Sequence, residues 1–205
     1  MKRFLSLTFV AFSIMIKAQS FSWADHVPSS YESGVRTVHG DASGAIYALV
    51  KYRDTAFFNG QTYLSYDATN ANSHTTPANL LVKYQPDGSV SWVRNITASV
   101  PQTQNYFTDG VRISYMDVDA FGNIYVQGVS RGSLSIDTLS LYGGVAGGVV
   151  NDFSFIAKLD SAGNGLWYQI FRDHRPFAVA VERGFSVSPD GTKLFAAVLA
   201  DTLEV

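Results

Sequence analysis

A ten-residue phrase occurs twice in this 205-residue chain. Lys83-Tyr84-Gln85-Pro86-Asp87-Gly88-Ser89-Val90-Ser91-Trp92 returns 75 residues later as Lys158-Leu159-Asp160-Ser161-Ala162-Gly163-Asn164-Gly165-Leu166-Trp167, with Lys, Gly and Trp in register. A second phrase, Asp41-Ala42-Ser43-Gly44-Ala45-Ile46-Tyr47, returns 78 residues later as Asp119-Ala120-Phe121-Gly122-Asn123-Ile124-Tyr125. Two landmarks in the same order at nearly one period mark a duplicated supersecondary unit. Such a unit cannot bury its apolar face alone and stacks on copies of itself, so the repeat dictates the architecture. It leaves the ligand open.

Strand and turn signals alternate along the body, and no segment carries a helical period. Ala45 to Val50 and Asn123 to Val129 are short runs rich in Ile, Tyr and Val, each launched from a Gly turn. Leu80 to Tyr84 and Phe153 to Leu159 supply the next strands and run into Pro86-Asp87-Gly88 and Ser161-Ala162-Gly163-Asn164, where Gly provides the positive φ of a tight turn. The strands that follow carry Trp92 and Trp167. Each unit reads as two hairpins separated by an excursion, an all-β pattern with the four antiparallel strands of a β-propeller blade. A propeller blade takes roughly 40 to 50 residues, so the surplus falls in the excursions, which include Asp67 to Asn79 and Leu134 to Asn151. The cluster Gly143-Gly144-Val145-Ala146-Gly147-Gly148 lacks the following Lys-Ser or Lys-Thr of a phosphate cradle and is expected to be a plain loop.

Phe185 to Ala196, with Ser188-Pro189-Asp190-Gly191, starts a third unit that has no Lys…Gly…Trp half. The expected organisation is therefore a segment 1–18 that is removed, a lead-in 19–33, repeat units at 34–108 and 109–178, and the first part of a third at 179–205. About two and a half blades cannot close a ring of roughly four to eight. The expectation is a front portion of a longer protein, with the remaining blades further along that chain.

The front of the chain is an address. Lys2 and Arg3 precede an apolar run from Phe4 to Ile16, and Ala18 offers a small residue for cleavage before Gln19, the pattern of a secretory signal peptide. Thirteen apolar-rich residues fall short of the about 20 needed to span a bilayer core. The protein is expected to be secreted or held at the cell surface. Losing Lys2, Arg3 and Lys17 with that segment takes the formal charge from −2 to −5. A mildly acidic body without a Lys/Arg run argues against nucleic acid and against anionic membranes as partners. The chain has no cysteine. Disulfides, thiol catalysis and thiolate metal sites are thereby excluded, and the fold must hold by burial alone.

The second unit resembles a known family. Gly122-Asn123-Ile124-Tyr125-Val126-Gln127-Gly128, followed by Asp152-Phe153-Ser154-Phe155-Ile156-Ala157-Lys158-Leu159-Asp160-Ser161-Ala162-Gly163-Asn164-Gly165-Leu166-Trp167, is similar to the bacterial seven-bladed β-propeller (SBBP) repeat. The likeness covers roughly Gly34 to Ala200, is partial in the first unit at Leu81-Val82-Lys83-Tyr84, and is faint in the third. It implies large exported proteins that look like those of the Bacteroidetes. The family has no fixed catalytic residues to carry over.

The chemistry-bearing residues each have a structural use that competes with a functional one. Asp117-Val118-Asp119-Ala120-Phe121-Gly122 opens like a calcium loop but lacks a third oxygen ligand before Gly122 and a Glu at the twelfth position. A turn in which Asp bonds its own backbone is the expected use. His26, His39, His74 and His174 share no metal-type spacing. Asp173-His174-Arg175 has no nucleophile motif nearby, and no Ser/His/Asp triad can be assembled. No catalytic, cofactor-binding or metal-binding residue is assigned. The Asn95-Ile96-Thr97 sequon matters only in a host that glycosylates. Trp92 and Trp167, at equivalent repeat positions, are expected to be packed between units rather than presented to sugars, and Trp167 is expected to be largely buried.

Two classes of function follow. One is a non-enzymatic extracellular module that binds or scaffolds, its long loops forming the surface for a protein or glycan ligand. The other is a propeller enzyme, a quinoprotein-like dehydrogenase or a hydrolase. Asp160…Gly163…Trp167 looks like a tryptophan-docking repeat of quinone-cofactor dehydrogenases, but its spacing is one residue short, its Thr is missing and the period is too long. The binding module is the favoured expectation, with no cofactor.

Overall fold

The computed structural model describes residues 25–65, 77–99, 111–131, 133–142, 145–146, 149–150, 152–172 and 182–198. All elements among them are strands. The first set is β1 (Glu32–Gly40), β2 (Ile46–Arg53), β3 (Thr55–Phe58), β4 (Gln61–Leu64), β5 (Pro77–Tyr84) and β6 (Val90–Ser99). The second is β7 (Val111–Val118), β8 (Ile124–Arg131), β9 (Ser133–Ile136), β10 (Leu139–Tyr142), β11 (Val145–Ala146), β12 (Val149–Val150), β13 (Asp152–Leu159) and β14 (Gly165–Arg172). A last hairpin joins β15 (Glu182–Val187) to β16 (Leu194–Val198). The expected signal segment, 1–18, lies outside the described residues, and none of the described elements is a helix long and apolar enough to cross a membrane.

The protein is all-β, with several antiparallel sheets. Strands β1-β2-β5-β6 follow one another across the first sheet, and β7-β8-β13-β14 across the second. The pairing inside the two sheets matches in detail. Lys83 stands opposite Trp92 with a bulge immediately after it, and Lys158 stands opposite Trp167 with the same bulge. The register between β1 and β2 shifts at Val35/Thr37, and that between β7 and β8 shifts at Ile113/Tyr115, the same place 78 residues on. A bulge displaces one residue of a ladder and increases the local twist, so matching bulges give the two sheets matching curvature. Among the described residues the sheets close into neither a barrel nor a ring.

Burial explains why the central strands read as nearly continuous apolar runs: both faces of the first sheet are covered. On one face Tyr47, Leu49, Leu81 and Ile96 pack against Ile113, Ile124, Val126, Phe153 and Phe155 of the second sheet. On the other, Ala48, Val50, Tyr52, Ala78, Leu80 and Val82 form a separate cluster with Ala56 and Phe58 of β3. Gly128 lies in β8 between the flanking strands β7 and β13 of the second sheet, opposite Phe155. A Cβ there would stand 2.6 Å from the Arg112 carbonyl oxygen and 2.9 Å from the Phe155 ring.

The excursions differ from the sequence expectation. Strand β5 begins at Pro77, inside the first expected excursion, and residues 66–76 lie outside the described set. The second excursion contains the hairpin β9–β10, which leaves its own sheet and pairs with β6 of the first: Thr97 with Ser135, Ala98 with Leu134 and Ser99 with Ser133. Leu134, Ile136 and Leu141 of this hairpin are buried in the shared core. The alternation of Leu134 with Ile136 and of Leu139 with Leu141 on either side of the Asp137-Thr138 turn, with Asp137 at φ 51°, is the physical reason it is a hairpin. The expected Gly-rich loop is likewise interrupted by the β11–β12 pairing, while 143–144 and 147–148 lie outside the described residues. In the first unit β3–β4 holds the corresponding place, and there Ser29 of the lead-in bridges Ala56. Ser30 N–H donates to the Thr55 carbonyl at 2.8 Å and Phe57 N–H to that of Pro28 at 2.9 Å.

Candidate functional site

The recurring phrases build two kinds of contact between successive units. The first begins in the turn after each opening strand. Asp41 accepts from the backbone N–H groups of Ser43 at 2.9 Å and Ala45 at 3.1 Å. Asp119 accepts from those of Phe121 at 3.0 Å and Asn123 at 2.9 Å. Each is an Asp folding its own turn, closed by a glycine at φ 84° (Gly44) and 80° (Gly122). The other carboxylate oxygen receives a tyrosine hydroxyl, Tyr47 to Asp41 at 3.0 Å and Tyr125 to Asp119 at 3.3 Å. Burial opposes ionisation of Asp41, but hydrogen bonds from Ser43, Tyr47 and Ala45 outweigh it and hold the carboxyl below its usual range. Burial and the adjacent Asp41 carboxylate push the Tyr47 hydroxyl far up.

The next unit sits on this pair. A Cβ at Gly122 would lie 2.6 Å from the Tyr47 hydroxyl and 3.0 Å from Asp41. Gly191 in the third hairpin occupies the same seat on Tyr125 and Asp119, where a Cβ would overlap the Asp119 carboxylate. The Ala120 N–H donates to the Pro189 carbonyl at 2.8 Å in the same junction.

The second contact uses Lys, Trp and Arg. Lys83 Nζ and Trp92 Nε1 both donate to the Ser161 carbonyl, at 3.0 and 3.2 Å. Arg94 donates through Nε to the Gly163 carbonyl at 3.2 Å and through Nη2 to that of Ala162 at 3.0 Å. The second unit's Asp160–Asn164 turn is thus held by four donors of the first. A carbonyl has two lone pairs and serves both Lys83 and Trp92. Lys83 Nζ also stands 5.1 Å from the Tyr47 ring centroid, and Tyr47 meets Trp92 edge-on at 6.2 Å and 61°. The turn is rigid in itself: Asp160 accepts from Ala162 and Asn164 N–H, each at 2.9 Å. Burial opposes the Asp160 charge, and the Asn164 and Ala162 hydrogen bonds with the nearby Arg94 overcome it, so its carboxyl too titrates below the usual range.

The second sheet carries the same trio. Lys158 Nζ stands 4.8 Å from the Tyr125 ring, and Tyr125 meets Trp167 edge-on at 6.4 Å and 69°. Here nothing among the described residues accepts a hydrogen bond from Lys158 Nζ or Trp167 Nε1. Trp167 is 42% exposed, which corrects the expectation that it is largely buried. The reason is local: Trp92 is half-buried under the turn of the following unit, and among the described residues no such turn lies on Trp167. The surrounding face is also more polar. By strand register Gln127 stands where the first sheet has Leu49, and Gln169 where it has Arg94. Gln127 is fully buried, with neither amide atom hydrogen-bonded.

The remaining candidates fall in structural roles or outside the described residues. Asp117 pairs with His39 Nδ1 at 3.3 Å and accepts from Val187 N–H at 2.8 Å, tying the three units together. Asp119 is committed to its turn, and among the described residues no three His, Cys, Asp or Glu side chains converge on a point. His26 lies on the surface, where its backbone N–H donates to the Asp25 carboxylate at 2.8 Å. His74, Asp173, His174 and Arg175 lie outside the described residues. Asn95 of the sequon accepts from the Tyr52 hydroxyl at 2.6 Å and donates to the Leu64 carbonyl at 3.1 Å, so its amide is engaged within the fold. An open depression of about 580 Å³ lies over the lead-in and β3–β4, lined by Asp25, His26, Phe57, Phe58 and Val90. No family model matches the chain, and no curated protein is significantly similar to it. Sequence reasoning found Lys83, Trp92 and Gly122 from their recurrence but missed Arg94, which recurs as Gln169 and leaves no repeating signal.

Proposed function

We propose that this chain is an exported, non-enzymatic module of propeller-type units, about two and a half blades, that binds or scaffolds outside the cell. The observation that carries the reading is the seating of the Asp160–Asn164 turn on Lys83, Trp92 and Arg94. It couples one four-stranded antiparallel meander face-on to the next, the relation between adjacent blades. The resemblance to SBBP repeats and the signal-like front of the chain support the same reading. A protein or glycan would be the ligand, held by loops between strands. The test is to express the protein in a bacterium, sequence the N-terminus of the exported product, and probe it against arrays of extracellular proteins and glycans. Export with cleavage before Gln19 and saturable binding without turnover is the expected result. A bound quinone chromophore, or hydrolysis of a bound glycan, would place the chain in the enzyme class instead. Retention in the cytoplasm would end the export reading.

A further inference from the structure

We propose that Lys158 and Trp167 form a docking seat for one added β-hairpin, which pairs its first strand along β16 and lays an Asp-x-x-Gly turn over both side chains. In the first junction a lysine and a tryptophan N–H, set around a tyrosine ring, converge on one turn carbonyl. In the second the same trio keeps its geometry within a few tenths of an ångström at the ring contacts, and its two donors face no acceptor among the described residues. The place where the rest of the partner attaches is already marked. The hairpin β15–β16 is docked in the position of an opening hairpin, with Gly191 on Tyr125 and Val187 N–H on Asp117. Strand β2 pairs with β5, and β8 with β13, but among the described residues β16 pairs only with β15. Phe195, opposite Ser186 in β16, holds the position of Tyr47 and Tyr125 and is 64% exposed.

Pairing and seating then follow from one geometry. A strand added to β16 as β13 is added to β8 turns back at the level where Asp160–Asn164 turns, because the register is fixed by the opening hairpin. Its turn carbonyl falls between Lys158 and Trp167 as the Ser161 carbonyl falls between Lys83 and Trp92. Strand addition supplies main-chain hydrogen bonds, and the seat supplies selectivity for a turn that exposes a carbonyl after its first residue. The inference rests on the stacked-unit reading above but not on what ligand the assembled module binds.

The probe is a backbone-cyclised peptide with the sequence of residues 152–172, carrying Trp167→Phe so that only the tryptophans of the protein report. Titrated into the full chain, it should shift tryptophan emission to the blue and protect it from acrylamide, saturating at one peptide per chain. Lys158→Met in the protein, or Gly163→Val in the peptide, should weaken binding at least about tenfold. A thermal melt of Lys158→Met at the parental temperature excludes misfolding as the cause. Absence of a shift at millimolar peptide, or equal binding by both variants, overturns the proposal. So does protection of Trp167 by self-association without peptide, or by oligosaccharides in its place. A parallel melt of Trp92→Phe separates the two readings. If it is destabilised while the peptide fails to bind, the docking seat alone is wrong. If it melts like the parent, the stacked-unit reading is wrong as well.

Discussion

Trp92 and Trp167 stand at the same place in the same kind of hairpin, each opposite a lysine and edge-on to a tyrosine, yet one is tucked under a turn and the other is open to water. The difference lies in the neighbour and not in the hairpin. Each sheet supplies half of the interface it makes, and the environment of a recurring side chain depends on which half meets it. The trio is therefore preformed by its own sheet, since Tyr125, Lys158 and Trp167 hold their arrangement with no turn above them among the described residues.

The sharpest way to break this comparison is at the turn glycines. Gly44 and Gly122 both have positive φ, but a Cβ at Gly44 would meet only Pro86 at 3.6 Å, whereas one at Gly122 overlaps Tyr47. Both valine variants carry the left-handed penalty, and only Gly122→Val adds the steric one. We expect Gly122→Val to lose about 3 kcal/mol or more and Gly44→Val about 1–2 kcal/mol in urea denaturation. Equal losses would mean that the seat is not tight.

The tryptophans come next. Trp92→Ala should cost about 3 kcal/mol and Trp167→Ala less than about 1 kcal/mol, by the same measurement. Lys83→Met, which removes a charged donor from the Ser161 carbonyl, should cost about 1–2 kcal/mol, against less than about 0.5 kcal/mol for Lys158→Met. A reversed order in either pair would show the second junction, not the first, to be the occupied one.

The smallest effect concerns pH. Asp41 and Asp160 both titrate below the usual carboxyl range in the folded protein. A depressed folded pKa gives stabilisation that is complete above the unfolded value, near about 4, and is lost as pH falls through the folded value. The melting temperature should be level from pH 7 to about 5 with respect to these groups and fall below about 4. Asp160→Asn, whose side-chain oxygen still accepts from the turn, should make the acid decline shallower.

Local chemistry made much of the fold readable in advance. Asp41, Gly44, Asp160 and Gly163 shape their turns within a few residues, so the strand–turn–strand order stands in the sequence itself. The β9–β10 hairpin escaped because Leu134 with Ile136 and Leu139 with Leu141 make only two short alternations inside an excursion, and its partner β6 lies more than thirty residues upstream. Pairing at that distance leaves no mark in a local period. Gly128 escaped because the need for it comes from Arg112 and Phe155, which only the pairing of β8 with β7 and β13 brings near. Of the candidate site, Lys83 and Trp92 were legible because they recur, and Arg94 was not, because Gln169 stands at its equivalent position. The acceptor was not, because the Ser161 carbonyl is backbone and every residue has one.

The bridge from Ser29 to Ala56 occupies, in the first unit, the position that the pairing of Ala98 with Leu134 occupies in the second. The earliest excursion hairpin is thus closed by chain that precedes it, and the later one by a strand already in place. Each pairing surface looks back toward the N-terminus. A polypeptide emerging N-terminus first would always present the next hairpin to a finished template, so the order of emergence and the order of assembly run the same way.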